Sequence, residues 1–304
     1  MDKYIDIDAL TRNVTDEIFR IFKQSPDSWV RKTFGPLMWP PAHRFAELAG
    51  TFDRLVAEFS FREAARQMAV RFVKYYEAYN TENIPTEGPL LISSNHPGTI
   101  DSLIIAASIP RPDLKIVATG IPFIQGIRNA ADHLIYVPRK GMHERMMVVR
   151  SAIDHLKQGG AVLIFPSGRI DPDPALSPEA MKDLGKWSRS VELMLKQVPQ
   201  TQVLLSIVSG VVSAHWRWNI FVRLMGDDLK QRTVAEVLQV IQSIFLPKLN
   251  MVEPRLTFSD PISTEELTKP DQEILDVMIE RARNLMQAHM AEGQNLLPVR
   301  TEIA

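Results

Sequence analysis

The chain has no cysteine. Disulfides, thiolate metal sites and cysteine nucleophiles are therefore excluded, and a reducing compartment is permitted. Neither sign of charge is in excess: 35 Lys+Arg face 36 Asp+Glu, a formal net charge of -1. That balance gives no global reason to bind nucleic acid, so no such partner is expected and any anion site must be a local basic cluster. Long apolar runs are missing too, since no stretch approaches the ~18 uninterrupted apolar residues of a spanning helix. The opening MDKYIDIDAL has no basic stretch followed by an apolar one, so no signal peptide is expected there. If the protein works on lipid, it visits the membrane surface without crossing it. The expectation is a cytoplasmic, peripherally membrane-associated protein. Apolar side chains are plentiful, at 45% of 304 residues, enough for a large core.

Two stretches at the front read as helical. Ile7, Leu10, Val14, Ile18 and Ile21 recur at three- and four-residue spacing. Phe45, Leu48, Phe52, Leu55, Val56 and Phe59 form a second periodic run that continues toward Phe72, Tyr75, Tyr76 and Tyr79. Between them, residues 29–44 (WVRKTFGPLMWPPAHR) set Trp29, Phe34, Met38 and Trp39 beside basic residues and prolines. This segment reads either as a loop whose aromatics pack between helices or as a hook for a membrane surface. From residue 89 onward, short apolar strand candidates at 90–94, 115–119, 134–138, 161–165, 203–213 and 255–258 alternate with helical patterns. The expected fold class is α/β, a mostly parallel central sheet flanked by helices with a smaller N-terminal helical domain. The polar, turn-rich TENIPTEGP (81–89) sets the expected break, with a helical domain over 1–84 and an α/β domain over 85–304.

Three strand ends carry chemistry. The first runs into Asn95-His96-Pro97-Gly98-Thr99-Ile100-Asp101. A strand that ends in a tight turn and opens into a helix puts His96 at the carboxyl edge of the sheet, where α/β folds gather ligands. A carboxylate one turn into that helix can fold back, accept the proton of one ring nitrogen and leave the other as a base. Acyl transfer to a hydroxyl needs such a base. The bland reading is a helix-capping Asp101 and a surface His96. The second strand end leads into YVPRKGMHER (136–145), with Arg139, Lys140, His143 and Arg145, a set suited to a phosphate monoester or simply to a solvated basic turn. The third is IFPSGRIDPDP (164–174), where Pro166, Ser167 and Gly168 shape a turn before Arg169. Its N–H groups could hold an anion or oxyanion; the alternative is an ordinary strand exit with Asp-Pro turns.

In this order the blocks resemble the glycerolipid acyltransferase family over residues 85–265. Its N-H-x4-D motif is matched by Asn95, His96 and Asp101, its basic turn by Arg139 and Lys140, and its F-P-E-G motif by Phe165-Pro166-Ser167-Gly168. Phe258-Ser259-Asp260-Pro261-Ile262 resembles a later Gly/Asp-Pro-Ile pattern. Ser167 stands where most members have Glu, and there the chain is closest in motif to the plant chloroplast-type glycerol-3-phosphate acyltransferases. It departs from them in lacking one Gly before Arg169 and in having Asp171 at the second Arg. The resemblance implies that His96 and Asp101 are catalytic and that Arg139, Lys140 and Arg169 bind the acceptor phosphate, with Ser167, Gly168 and His143 as further turn residues. It implies an acyl-CoA or acyl-carrier protein donor and a glycerol-3-phosphate or lysophospholipid acceptor. No metal and no cofactor are expected. Two rival readings are a serine hydrolase using Ser167, which lacks the G-x-S-x-G elbow, and a non-catalytic acyl- or lipid-binding module.

Overall fold

The computed structural model describes residues 5–21, 23–25, 27–119, 122–137, 142–247, 249, 251–291 and 299–301, of which 119, 122, 142–145 and 299–301 are described by backbone alone. Among the described residues, nine strands make one sheet: β1 (Tyr76–Tyr79), β2 (Leu90–Ser94), β3 (Lys115–Thr119), β4 (Leu134–Val137), β5 (Ala161–Ile164), β6 (Gln202–Ser209), β7 (Arg255–Phe258), β8 (Ile262–Ser263) and β9 (Val299–Thr301). The order is β4-β3-β5-β2-β6-β7-β1-β9, with β8 against β6. From β4 to β6 every pairing is parallel, while β7, β8 and β9 bring in antiparallel pairs. The fold is thus the expected α/β class, a mostly parallel sheet flanked by helices and preceded by helices.

Successive residues of a strand face opposite sides, so the apolar strands feed two cores. Leu90, Ile92, Ala161, Leu163, Leu204 and Val208 face the core shared with the front helices α1 (Ile7–Ile21), α2 (Trp29–Glu58) and α3 (Phe61–Ala69) and with α4 (Thr99–Ser108). Leu91, Val162, Ile164, Val203, Leu205 and Ile207 face the other, beneath the helices Met142–Lys157, Ser190–Gln197 and Ile274–Ala291. Parallel strands buried on both faces read as continuous apolar runs, which is why five of the six strand candidates match within a residue or so. The sixth, 203–213, stops at Ser209. Gly210 takes φ +71, and a Cβ there would lie 3.2 Å from the Glu253 carbonyl oxygen. That close approach requires glycine and turns the chain out of the sheet.

Two front-end expectations need correction. Residues 29–44 are helix, not loop: Ser28 caps α2 by accepting the Arg31 N–H at 3.2 Å, and the helix runs through Pro36, Pro40 and Pro41. Packing overrides propensity here, because Ala42 and Ala46 on the same helix are fully buried. Trp29 (71% exposed), Phe34 (46%) and Trp39 (37%) point outward, so they do not serve the core. The aromatic run does not continue as helix to Tyr79. Tyr76–Tyr79 is β1, drawn into the sheet by parallel pairing of Glu77, Ala78 and Tyr79 with Arg255, Leu256 and Thr257.

The front helices are tied down by polar bonds as well as by the shared core. Asp53 of α2, 2% exposed, accepts the N–H groups of Asn129 (2.7 Å) and Ala130 (2.9 Å) and the Asn129 side-chain amide (2.7 Å). Arg62 donates to the Ala107 carbonyl at the end of α4 at 3.0 Å. Asp53→Ala orphans two backbone donors in the interior and should cost about 2–3 kcal/mol, read as a lower urea midpoint at unchanged m-value.

Candidate active site

The site grows from the carboxyl ends of β2 and β5, which are adjacent and parallel. Just past β2, the Asn95 side chain donates to the Val208 carbonyl and accepts from the Val208 N–H, both at 2.8 Å. It thereby extends the β2–β6 ladder one residue beyond the strand. The His96 backbone is fixed at two points: its N–H donates to Asp171 Oδ2 at 2.9 Å, and its carbonyl accepts the Asp171 N–H at 2.7 Å. Its ring stacks on Phe165 from the end of β5, with centroids 4.3 Å apart.

Asp101 lies on the first turn of α4 with its side chain fully buried. Its Oδ2 accepts the Gly98 N–H at 3.0 Å, and both carboxylate oxygens lie 3.0–3.1 Å from His96 Nδ1. The capping role and the imidazole role are therefore the same carboxylate. A carboxylate can only accept, so Nδ1 carries a hydrogen and the Nε2 lone pair is left for other work. Nε2 has no partner among the described residues.

A third carboxylate was not foreseen. Glu236, on the helix Asp228–Phe245, accepts from both the Thr99 N–H and the Thr99 hydroxyl at the start of α4. Burial raises the Glu236 carboxyl above its ordinary range, and burial does the same for Asp171. Burial alone would depress the His96 imidazole, but Asp101, then Glu236 and Asp171, outweigh it and raise its pKa to about 9. Two consequences follow. The neutral ring gains population only as pH climbs toward 9. The charged pair stabilises the fold fully below the ordinary imidazole pKa, and that contribution is lost as pH rises through about 9.

The turn after β5 is closed by the Gly168 N–H on the Phe165 carbonyl at 3.0 Å, with Gly168 at φ +65. The Ser167 hydroxyl lies 3.0 Å from both the Arg169 carbonyl and Asp171 Oδ2. It has no imidazole partner, which removes the basis for a serine nucleophile. Asp171 with Ser167 thus braces the His96 backbone. Asp173 goes further: buried, it accepts the N–H groups of Ala175, Gly210, Val211 and Val212 at 2.9–3.1 Å. The turn N–H groups of Gly98, Thr99 and Gly168 are all engaged, so the expected oxyanion donors are not free at those three positions.

Arg169 is about one-third exposed, with its guanidinium 3.9 Å from Asp183 Oδ2 and its Nε without a partner. Arg139 and Lys140 lie outside the described residues, and His143 falls within Met142–Lys157 with only its backbone described. β4 ends at Val137, two strands from β5 and about 10 Å along the same edge.

His96, Ser167, Gly168 and Arg169 all border one cavity of about 940 Å³. Beyond them its wall is largely apolar, built in part by Phe45, Leu48 and Phe52 of α2, Leu103 of α4, Phe123 and Val240. Sequence reasoning found the His96–Asp101 pair but not Asp171, Asp173 or Glu236. The two aspartates read as Asp-Pro turns, and for Glu236 the one available signal is its i, i+4 spacing with Arg232 and Val240. Glu236→Gln keeps an acceptor for Thr99 while removing the charge. It should move the His96 titration, followed by NMR, to lower pH; an unmoved titration would mean that Glu236 is already neutral there.

Residues 76–204 match the family model described as Acyltransferase, a span that contains β1 to β5 and the whole His96–Arg169 edge. No curated protein matches the chain. Among solved structures, the 1-acyl-sn-glycerophosphate (LPA) acyltransferase PlsC from Thermotoga maritima is similar at 14% identity and a TM-score of 0.46, covering 97% of this chain and 95% of that one. Over residues 76–204, the part that holds the His96–Arg169 edge, the chain is thus an acyltransferase domain.

Proposed function

We propose that the protein moves a fatty acyl group from an acyl thioester, acyl-CoA or acyl-carrier protein, to the free hydroxyl of glycerol 3-phosphate, with His96 as general base. The observation that carries this reading is the Asp101-braced imidazole on the border of a largely apolar cavity, with Arg169 on the same border. The acyl chain lies among Phe45, Leu48, Phe52 and Leu103. The acceptor phosphate docks on Arg169 together with Arg139 and Lys140, and His143, Ser167 and Gly168 shape the surrounding turns.

His96 Nε2 takes the hydroxyl proton as the acceptor oxygen attacks the thioester carbonyl. Asp101 stabilises the imidazolium. The tetrahedral intermediate then breaks its C–S bond, and the imidazolium proton passes to the departing sulfur, so the enzyme returns unchanged. Neither metal nor cofactor takes part. The helices of 1–84 act as a unit that walls the acyl site over the 85–304 body. No helix among the described residues is long and apolar enough to cross a membrane, and a peripheral, cytoplasmic location suits an amphiphilic product. A lysophospholipid is the alternative acceptor, since the apolar lining also suits an acylated one.

His96→Ala should lower kcat by about 10²–10⁴-fold, with labelled palmitoyl thioester and a panel of phosphorylated acceptors resolved by chromatography. Near-normal turnover would refute the base. Which acceptor is consumed decides between glycerol 3-phosphate and its acylated form. In the wild type, kcat/KM should climb with pH and level off near 9. Asp101→Asn should shift that rise downward and lower the plateau. Arg169→Ala should raise the acceptor KM about tenfold or more with a smaller change in kcat; an unchanged KM would put the phosphate elsewhere.

A further inference from the structure

Beyond β6 the chain makes two one-turn helices, Ala214–Arg217 and Ile220–Arg223, before the helix Asp228–Phe245. Trp218, Ile220, Phe221 and Leu224 are 52%, 63%, 69% and 76% exposed. Four large apolar side chains outward within seven residues are far from a core pattern, and contiguous exposure of this kind marks an interaction surface. The segment is nonetheless held firmly from behind. Val222 is buried against Val234 and Ala235, with Trp216 and Leu238 packed around them. Arg217 pairs with Asp228, and the Gln231 side chain donates to the carbonyls of Gly226 (2.9 Å) and Arg223 (3.2 Å). The exposed tips are therefore displayed on an ordered scaffold.

Within the segment itself the charged side chains have one sign. From Ala214 to Gly226 there are two arginines and no carboxylate. The Arg217 guanidinium stands 4.8 Å over the Trp218 ring, and Arg223 is exposed. The nearest carboxylates are occupied: Asp228 by Arg217 and Arg232, and Asp227 by the Lys230 N–H that it caps. Aromatic and aliphatic tips interleaved with arginine complement an anionic lipid interface, where apolar groups enter the headgroup boundary and cations meet phosphate.

The scaffold also links this surface to the candidate active site. One side of the helix Asp228–Phe245 carries the tips. Its other side presents Arg232, which donates to the Ile170 carbonyl at 2.8 Å, then Glu236 on Thr99, then Val240 in the cavity wall. A bilayer at the tips would lie about one helix diameter, ~10 Å, from that wall. We infer that residues 214–224 form a membrane-contact element for anionic bilayers, separate from the N-terminal aromatic strip on α2. This rests on the reading that the protein acts on lipid.

The test is flotation of the full chain with vesicles of phosphatidylcholine containing phosphatidylglycerol, or of phosphatidylcholine alone. The comparison is with an Ile220→Ser/Phe221→Ser/Leu224→Ser variant and with Arg223→Glu. The triple variant should lose about tenfold or more of its partitioning, while its circular dichroism and its turnover of a water-soluble short-chain thioester with glycerol 3-phosphate stay as in the wild type. Arg223→Glu should weaken binding to the anionic vesicles only. Undiminished flotation of the triple variant overturns the inference. So does a wild-type dimer, seen by sedimentation, that the triple variant converts to monomer, since the patch would then be a contact between copies. Loss of flotation in a protein that transfers no acyl group would keep the membrane element and sink the proposed reaction instead.

Discussion

Irregular backbone at the carboxyl edge of a buried sheet leaves N–H groups with no strand to pair them, and here buried carboxylates supply the acceptors. Asp101 takes Gly98, Asp171 takes His96, Glu236 takes Thr99, and Asp173 takes Ala175, Gly210, Val211 and Val212. A buried donor without a partner is costly, so these loops cannot keep their shape if the acceptors are lost. The arrangement of the edge depends on this constraint more than on any apolar contact.

The same carboxylates set the electrostatics. Three of them surround one imidazole and raise its pKa to about 9 against the opposing effect of burial. Structural acceptors and chemical tuning are thus not separable here: a group that holds the turn also shifts the proton. Asp101 is the clearest case, capping α4 and bracing Nδ1 with one side chain. An incoming anionic substrate would add to that field, while the cations of the edge, Arg169 among them, would offset it.

Packing explains why the front helices belong to the site. α2 contributes Phe45, Leu48 and Phe52 to the cavity wall, and Asp53 on the same helix is bonded into the body. The apolar space is therefore a product of two chain segments, neither of which encloses it alone. The helix Asp228–Phe245 plays a comparable part from the other side, through Arg232, Glu236 and Val240.

Much of this was legible in the sequence. Short apolar runs bounded by turns identified most of the parallel strands, because burial on both faces imposes that pattern. The spacing of His96 and Asp101 identified their pairing, because one turn of helix brings the carboxylate back to the ring. Where signals were local but ambiguous, the reading failed. Tyr76–Tyr79 looked like the end of a helix until β7 claimed it, and prolines hid the helical start of α2. Asp171 and Asp173 looked like turn residues, since nothing in an Asp-Pro pair tells which distant N–H groups a carboxylate will meet. Glu236 lies 137 positions from Thr99, and only the packing of the helix Asp228–Phe245 against the edge joins them. The sequence by itself determined most of the parallel strands, the His96–Asp101 pair and the resemblance to acyltransferases, all of which rest on neighbours a few residues apart. The tertiary structure alone decided which carboxylates serve which backbone, how the cavity closes and which apolar side chains stay outside, because those outcomes depend on contacts between segments far apart in the chain.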